Sequence, residues 1–267
     1  MIEKLRQKTK FILLAFCVAL AVFNYDRIVV RLLSFAPASV ENHWAEQYMP
    51  DKFWLHRVDS VAKQQEFAGK YAGLEFDIIY YEDSRAFENS HDKDDLKAYN
   101  LEKQFQKYAS LPTKNNLWLD FKNLSLDNKD DALTVLNSLM DKYGVDKSKV
   151  YVESKCYQAL DAFKQAGFKT SYYFPYYKFK KMSKTEINDV KIKTEAIAAS
   201  GNIDAISFQG DYYEFVSGLQ LPPNIVLLSW LDGQSWYEVL LRRKYAAIRD
   251  DDRVKVILVR EHGKYHR

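Results

Sequence analysis

The sequence predicts an α/β fold, namely a single (β/α)8 TIM barrel preceded by an N-terminal membrane-anchor helix. From about residue 51, eight short apolar runs alternate with seven longer amphipathic stretches, which is typical of a parallel sheet closed into a barrel. Polar residues follow most of the apolar runs, as they do at the mouth of such a barrel. The length of 267 residues also suits one barrel domain of about 250 residues.

The elements follow in regular order along the chain. The predicted strands are Phe53–His56, Leu74–Tyr80, Leu117–Phe121, Val150–Glu153, Thr170–Phe174, Ala205–Phe208, Ile225–Trp230 and Val254–Val259. The predicted helices are Ser60–Lys70, Asp95–Tyr108, Lys129–Tyr143, Tyr157–Ala166, Lys184–Ala199, Tyr212–Leu219 and Ser235–Arg249. An open doubly wound sheet is the alternative architecture, but the glycine-rich first turn that is typical of it is absent from this sequence.

The N-terminus has the pattern of a targeting segment. Four basic residues (Lys4, Arg6, Lys8 and Lys10) precede an apolar run over residues 11–23. Because the stretch Ala-Leu-Ala-Val-Phe-Asn over residues 19–24 is a poor cleavage site, we expect an uncleaved signal anchor over residues 1–23, a stalk over 24–50 and the barrel over 51–267. The positive-inside rule then places the barrel on the extracytoplasmic side, periplasmic or extracellular. A buried or amphipathic N-terminal helix is the alternative.

Composition limits the classes of partner and cofactor. The formal net charge is only +3, and the sequence contains no basic stripe, zinc-ligand spacing or P-loop, so we expect no nucleic-acid partner. Cys17 lies in the apolar run and Cys156 in the body of the chain, which gives no disulfide framework.

Three carboxylates are predicted to converge inside the barrel mouth. Glu75 and Asp77 share one face of the second strand, and Asp120 lies near the end of the third. Since the outer face of a barrel strand packs under helices, we expect these acids to point inward. Burying unpaired carboxylates would cost several kcal/mol each, on the order of the desolvation penalty of an ion. A divalent metal, Mg²⁺ or Ca²⁺, would remove that conflict because both prefer oxygen ligands.

Each of these residues also has a purely structural interpretation. Glu75 and Asp77 could form a buried ion network with Arg57 and Lys122 instead of holding a metal. A lone histidine at a strand end is more often a packing residue than a catalyst, and His91 lies in a polar stretch typical of a solvated turn. Four aromatic residues are predicted to line the pocket: Trp118, Tyr172, Trp230 and Trp236.

The residues in order along the first three strands resemble a known family. The segments His56-Arg57, Glu75-Phe76-Asp77, Ser90-His91-Asp92 and Leu119-Asp120-Phe121-Lys122 resemble the pattern of the glycerophosphodiester phosphodiesterases in the phospholipase C-like superfamily. The order of the segments also resembles the menorin branch. Val58 replaces the usual glycine after His-Arg, and Asp120 is shorter than the usual glutamate. These departures concern the choice of substrate more than the metal site.

The resemblance implies a role for each of these residues. His56 and His91 would be the acid/base pair, while Glu75, Asp77 and Asp120 would hold one divalent metal. The phosphate would be bound by Arg57 and Lys122. Apart from the resemblance, Trp230 in the predicted pocket wall is expected to contact the substrate. Glu153 has no counterpart in the family pattern and would be a further ligand or a partner for Lys122.

The leading functional hypothesis is a metal-dependent phosphoric diester hydrolase acting on a membrane-associated lipid or glycan phosphodiester. The alternative is a catalytically inactive barrel that binds a glycan or phospholipid in a surface-assembly role. A third hypothesis is a glycoside hydrolase that pairs Glu153 with Glu75 or Asp120, but it leaves both histidines and Lys122 without a role.

Overall fold

The computed structural model of the chain describes residues 25–35, 38–91 and 99–261. Within these residues the strands are β1 (Phe53–Leu55), β2 (Gly73–Tyr81), β3 (Ala86–Asn89), β4 (Tyr99–Asn100), β5 (Asn116–Phe121), β6 (Val150–Ser154), β7 (Lys169–Tyr173), β8 (Ala205–Gln209), β9 (Val226–Trp230) and β10 (Val254–Val259). The helices are α1 (Tyr25–Leu33), α2 (Ala38–Tyr48), α3 (Val61–Phe67), α4 (Leu101–Ser110), α5 (Lys129–Tyr143), α6 (Tyr157–Gln165), α7 (Lys184–Ala199), α8 (Tyr213–Ser217), α9 (Trp236–Leu241) and α10 (Ala246–Asp250).

Eight of the strands form a closed parallel barrel, which confirms the predicted fold. Their order around the barrel is β1, β2, β5, β6, β7, β8, β9, β10, and β10 returns to pair with β1. Every predicted strand coincides with one of these eight to within a few residues. All strands run in the same direction, so their carboxyl ends meet at one mouth.

The remaining two strands form an antiparallel extension at the mouth that the sequence pattern did not predict. Strand β2 continues past the barrel to Tyr81, and β3 pairs back along it from Tyr81↔Ala86 to Ile78↔Asn89. The Ser90 amide then donates to the Asp77 carbonyl at 2.9 Å. This extension returns the chain to the mouth immediately before His91.

Two of the predicted helices differ from those in the structure. The stretch predicted as one helix over Ser235–Arg249 is two short helices, α9 and α10, because Arg242 adopts an extended backbone conformation and a 3₁₀ turn follows. The helix predicted from Asp95 begins at Leu101, where the Asn100 side chain caps it. Residues 95–98 of that prediction lie outside the described residues.

Side chains alternate along the barrel strands between an interior cluster and an outer core beneath the helices. The interior cluster of buried side chains comprises Trp54, Trp118, Tyr151, Ala205, Leu228, Val256 and Leu258. The outer core contains Tyr172 and Trp236. The prediction that these two aromatic residues line the pocket was therefore wrong, because Tyr172 is out of phase with the inward face of β7 and Trp236 lies on helix α9.

The segment predicted as a stalk contains helices α1 and α2. Val30 and Ala45 are buried in the outer core, and α1 contacts α9. The division into anchor, stalk and barrel stays a prediction. The proposed anchor lies at residues 1–23, outside the described residues, and none of the described helices is long and apolar enough to cross a membrane.

Candidate active site

A cavity of about 200 Å³ opens at the carboxyl ends of the barrel strands. It is lined by the nine residues that the sequence assigned to catalysis, binding or metal ligation: His56, Arg57, Glu75, Asp77, His91, Asp120, Lys122, Glu153 and Trp230. Trp118, predicted for the pocket wall, also lines it, and Tyr173, Gln209, Asp232 and Leu258 complete the lining. The structure thus brings the predicted residues together, whereas the role of each stays a prediction.

Strand register explains why the acids meet. Asp77 on β2 lies opposite Asp120 on β5, and Asp120 lies opposite Glu153 on β6. Glu75 is two residues before Asp77 and therefore shares its inward face. Glu75, Asp77 and Asp120 each offer a carboxylate oxygen, and the three oxygens lie within 4.8 Å of one another.

The Lys122 ammonium lies among these acids. Its Nζ is 2.6 Å from Asp77 Oδ1 and also forms an ion pair with Asp120. Burial by itself would raise the pKa of Asp77, but the charge and hydrogen bond of Lys122, together with the nearby histidines, lower that pKa overall. The same two carboxylates raise the pKa of Lys122 against the effect of its own burial. Lys122 is therefore charged and compensates part of the negative charge.

The other acids are less well compensated. Burial raises the pKa of Glu75 well above its ordinary value, and the neighbouring Asp77 charge adds to the effect. Burial also raises the pKa of Asp120, although Lys122 opposes it. Carboxylates in excess of nearby cations favour a bound cation. The three oxygen donors match Mg²⁺ or Ca²⁺, so the residues present fit a divalent metal.

The first histidine of the predicted acid/base pair is buried beside these acids. His56 Nε2 lies 3.7 Å from Glu75 Oε2, and Nδ1 is buried without a hydrogen-bond partner. Burial lowers the pKa of His56 to about 3, so its imidazole is neutral at neutral pH. The His56 amide donates to the Val259 carbonyl at 2.9 Å, which fixes the end of β1 against β10.

Arg57 adopts an uncommon backbone conformation at the mouth. Its φ is 53°, in the left-handed region that non-glycine residues rarely occupy. Its amide donates to Glu75 Oε2 at 2.6 Å, and the buried Lys63 Nζ donates to the carbonyl oxygens of both His56 and Arg57. These contacts offset the backbone strain, a pattern common at functional sites. The Arg57 side chain is 41% exposed, and its Nε lies 4.0 Å from Asp77 Oδ2.

The second histidine reaches the cavity by a different route. His91 follows β3, outside the barrel strands, and is exposed to solvent. It lines the same cavity because the Ser90 contact with Asp77 holds the end of β3 at the mouth. The two histidines thus approach the acids from β1 and from the β2–β3 extension.

Glu153 is held below the three acids by hydrogen bonds. One of its carboxylate oxygens accepts from Trp118 Nε1 and the other from the Ser207 hydroxyl. Burial raises its pKa well above the ordinary value, and the Asp120 charge raises it further. Its bonds to Trp118 and Ser207 fix the carboxyl in place, while its predicted role as a further ligand or a partner of Lys122 stays a prediction.

Sequence reasoning missed part of the aromatic wall. The rings of Tyr173 and Trp230 lie 5.2 Å apart with an angle of 30° between their planes. Beside them, Gln209 Nε2 donates to Asp232 Oδ2 at 3.2 Å. The alternation along β7, extended from the neighbouring strands, would have identified Tyr173 rather than Tyr172 as the inward residue.

Comparison with solved structures confirms the resemblance at the level of the fold. A glycerophosphodiester phosphodiesterase from Parabacteroides distasonis superposes with a TM-score of 0.52 at 14% identity, covering 78% of this chain and 92% of that one. A protein from Agrobacterium tumefaciens, named as a glycerophosphoryl diester phosphodiesterase, gives a TM-score of 0.54 at 11% identity, over 78% and 92% of the two chains. The chain has the fold of these phosphodiesterases.

Sequence comparisons add nothing more specific. No protein-family model matches this sequence, and no curated protein matches it. The resemblance to the menorin branch stays a prediction.

Proposed function

We propose that this protein is a metal-dependent phosphoric diester hydrolase. The observation that carries the proposal is the cavity itself, where two histidines, three clustered carboxylates and two cationic side chains converge at one barrel mouth. Neither a packing role nor a solvated turn accounts for both histidines lining the cavity that the acids line. The barrel shared with known phosphodiesterases supports the proposal.

The acids would hold the metal and the histidines would move protons. Glu75, Asp77 and Asp120 would bind one Mg²⁺ or Ca²⁺, which when bound stabilises negative charge on the phosphoryl oxygens. His56 and His91 would be the acid/base pair, one accepting the proton of the attacking oxygen and the other protonating the leaving oxygen. Both imidazoles line the cavity that the acids line, which is where a bound diester would lie.

The cationic residues would bind the diester. Arg57 presents a planar fork to two phosphoryl oxygens, and Lys122 adds a fixed positive charge between Asp77 and Asp120. The Tyr173–Trp230 wall offers a flat apolar surface next to these groups. We propose that it contacts the organic part of a lipid or glycan phosphodiester.

Hydrolysis of bis-p-nitrophenyl phosphate by the purified full-length protein tests this proposal. We expect turnover with Ca²⁺ or Mg²⁺ that is lost in EDTA and restored by the metal. His56→Ala and His91→Ala should each lower kcat by about 10²–10⁴-fold, the usual contribution of acid/base catalysis. His43→Ala is the matched control, because His43 is exposed on helix α2.

Two results would overturn the proposal. One is the absence of chelator-sensitive turnover across a panel of lysophospholipid, glycerophosphodiester and glycosyl phosphodiester substrates in folded protein. The other is a loss of activity in His43→Ala as large as in the two cavity variants.

A further inference from the structure

Arg260 directly follows strand β10 at the mouth of the barrel but takes no part in the function proposed above. Val256 and Leu258 on β10 belong to the interior cluster, and Arg260 follows them at the same period of two. Strand β10 pairs with β1 at Leu55↔Val259, so Arg260 lies at the strand end adjoining His56 and Arg57. Its amide donates to the Gln234 carbonyl at 2.8 Å, which fixes the backbone there.

Within the part of the chain that the structure describes, the Arg260 side chain has few polar contacts. Its Nε is buried without a hydrogen-bond partner, and no ion pair found among the described residues includes it. Arg57 Nε is likewise buried and forms no hydrogen bond. Burying a charged donor without a partner costs free energy, which a bound anion would recover.

The charges at the mouth are divided between two sides. The strands β2, β5 and β6 carry the four acids together with Lys122, whereas the side formed by β1 and β10 carries Arg57 and Arg260 above the buried Lys63. Burial lowers the pKa of Arg260 and the nearby Arg57 charge lowers it further, against the opposing effect of Asp232 and Glu75. Arg57 lies 4.0 Å from Asp77, whereas Arg260 forms no ion pair among the described residues, so the β1–β10 side carries one cation that no described carboxylate contacts.

We propose that Arg260, beside the Arg57 that would bind the reacting diester, binds a second anionic group, a phosphomonoester or a carboxylate, on the diester that this protein hydrolyses. The proposal rests on the proposed function and names the class of substrate, a diester with a further negative charge on one of its organic groups. A guanidinium fork binds two oxygens of a phosphate or a carboxylate side by side, so Arg260 can hold such a group by itself.

The spacing of the strands favours contact between Arg260 and a separate anionic group over contact between Arg260 and the reacting phosphoryl group. Strand β1 separates β10 from β2, and two strand spacings of about 4.8 Å put the Arg260 backbone about 10 Å along the wall from the acidic strands. The reacting phosphoryl group, bound near the acidic strands, therefore leaves Arg260 available for a second anion.

Matched pairs of probes test the proposal by calorimetric titration with Ca²⁺ and again in EDTA. In the first pair, 3-phosphoglycerate has a carboxylate that glycerol 3-phosphate lacks. In the second pair, glucose 1,6-bisphosphate has a second phosphate that glucose 1-phosphate lacks. We expect the wild type to bind at least one doubly anionic probe about tenfold or more tightly than its partner, since a charge-assisted bond is worth about that factor. The pair that shows the preference identifies the source of the second charge.

Variants assign the preference to Arg260. Arg260→Gln should abolish the preference while changing affinity for the singly anionic probes by less than about threefold, and Arg260→Lys should retain part of it because a point charge remains. Arg27→Gln, which removes an exposed arginine from helix α1, should change nothing. The melting temperature of each variant checks that it is folded, and Arg260→Lys decides the matter if the glutamine variant does not fold.

A wild type that binds neither charged probe more tightly overturns the inference, as does an Arg260→Gln or Arg260→Lys variant with an undiminished preference. These outcomes are independent of turnover. Failure to hydrolyse bis-p-nitrophenyl phosphate would count against the proposed function, whereas a lost preference would count against the second anion position alone.

Discussion

At the scale of single residues, the carboxylates of the cavity differ in whether a cation contacts them. Asp77 and Asp120 contact Lys122, and their charge is partly compensated. Glu153 accepts two hydrogen bonds but has no ion-pair partner among the described residues, and it is 2% exposed. The difference determines which of these acids contributes stability and which one lowers it.

Glu153→Gln is expected to stabilise the protein at neutral pH in EDTA. Burial raises the pKa of Glu153, so the folded protein favours the protonated, neutral carboxyl. The contribution of Glu153 to stability is therefore present below the unfolded-state pKa and is lost as pH rises through the folded-state pKa. Glutamine keeps the shape, accepts from Trp118 and donates to Ser207. We expect a higher melting temperature at pH 8, by about 2–4 °C per kcal/mol recovered, and no gain at pH 4.

Thermal denaturation across pH measures this effect, with Glu82→Gln as the control because Glu82 is exposed in the β2–β3 turn. A Glu153→Gln protein that is less stable than the wild type at pH 8 would contradict the prediction and assign Glu153 an ionised structural role.

At the scale of elements, the pairing of β1 with β2 depends on the fit between a large side chain, Trp54, and a glycine, Gly73. Trp54 on β1 projects into the barrel, and Gly73 begins β2 beside it. A Cβ atom at Gly73 would lie 2.1 Å from Trp54 Cδ2, well inside contact distance. The contact lies where β1 and β2 pair, at the closing point of the barrel.

Gly73→Ala is therefore expected to destabilise the barrel by about 1–3 kcal/mol, the usual cost of an overpacked core, or more if the indole cannot move. Urea denaturation gives the free energy of unfolding. Gly218→Ala serves as control, since a Cβ there would meet no atom closer than 3.5 Å. Equal stabilities of the two variants would show that Trp54 moves aside at little cost.

At the scale of the whole molecule, the barrel gathers side chains from distant parts of the sequence into one charged cavity. Four acids and their cations meet although they lie between residues 57 and 153. Such a cavity couples ligand binding to global stability, because a metal that binds only the folded state stabilises it by mass action.

Ca²⁺ or Mg²⁺ should therefore raise the melting temperature of the whole protein. A concentration of 100 times the dissociation constant corresponds to about 2.7 kcal/mol. The double variant Glu75→Gln/Asp120→Asn should lose this response, while Glu82→Gln/Asp127→Asn, at exposed positions, should retain it. A flat response of the wild type to both metals would favour the buried ion network centred on Lys122.

The sequence by itself determined the barrel and its acidic strand ends. Local periodicity of two and 3.6 residues identifies strands and helices, and parallel strands separated by helices have few ways to close. Glu75 and Asp77 fall on the inward face because the alternation of β2 is a local property. The His56-Arg57 pair likewise lies at a predictable strand end.

Only the tertiary structure decided what surrounds those acids. The β2–β3 extension brings His91 to the mouth through antiparallel pairing, which no local pattern marks. Glu153 is positioned by Trp118 and Ser207 from other strands, and Arg260 meets Arg57 because β10 closes onto β1. Contacts between residues far apart in sequence depend on the closed barrel, so local propensity does not encode them.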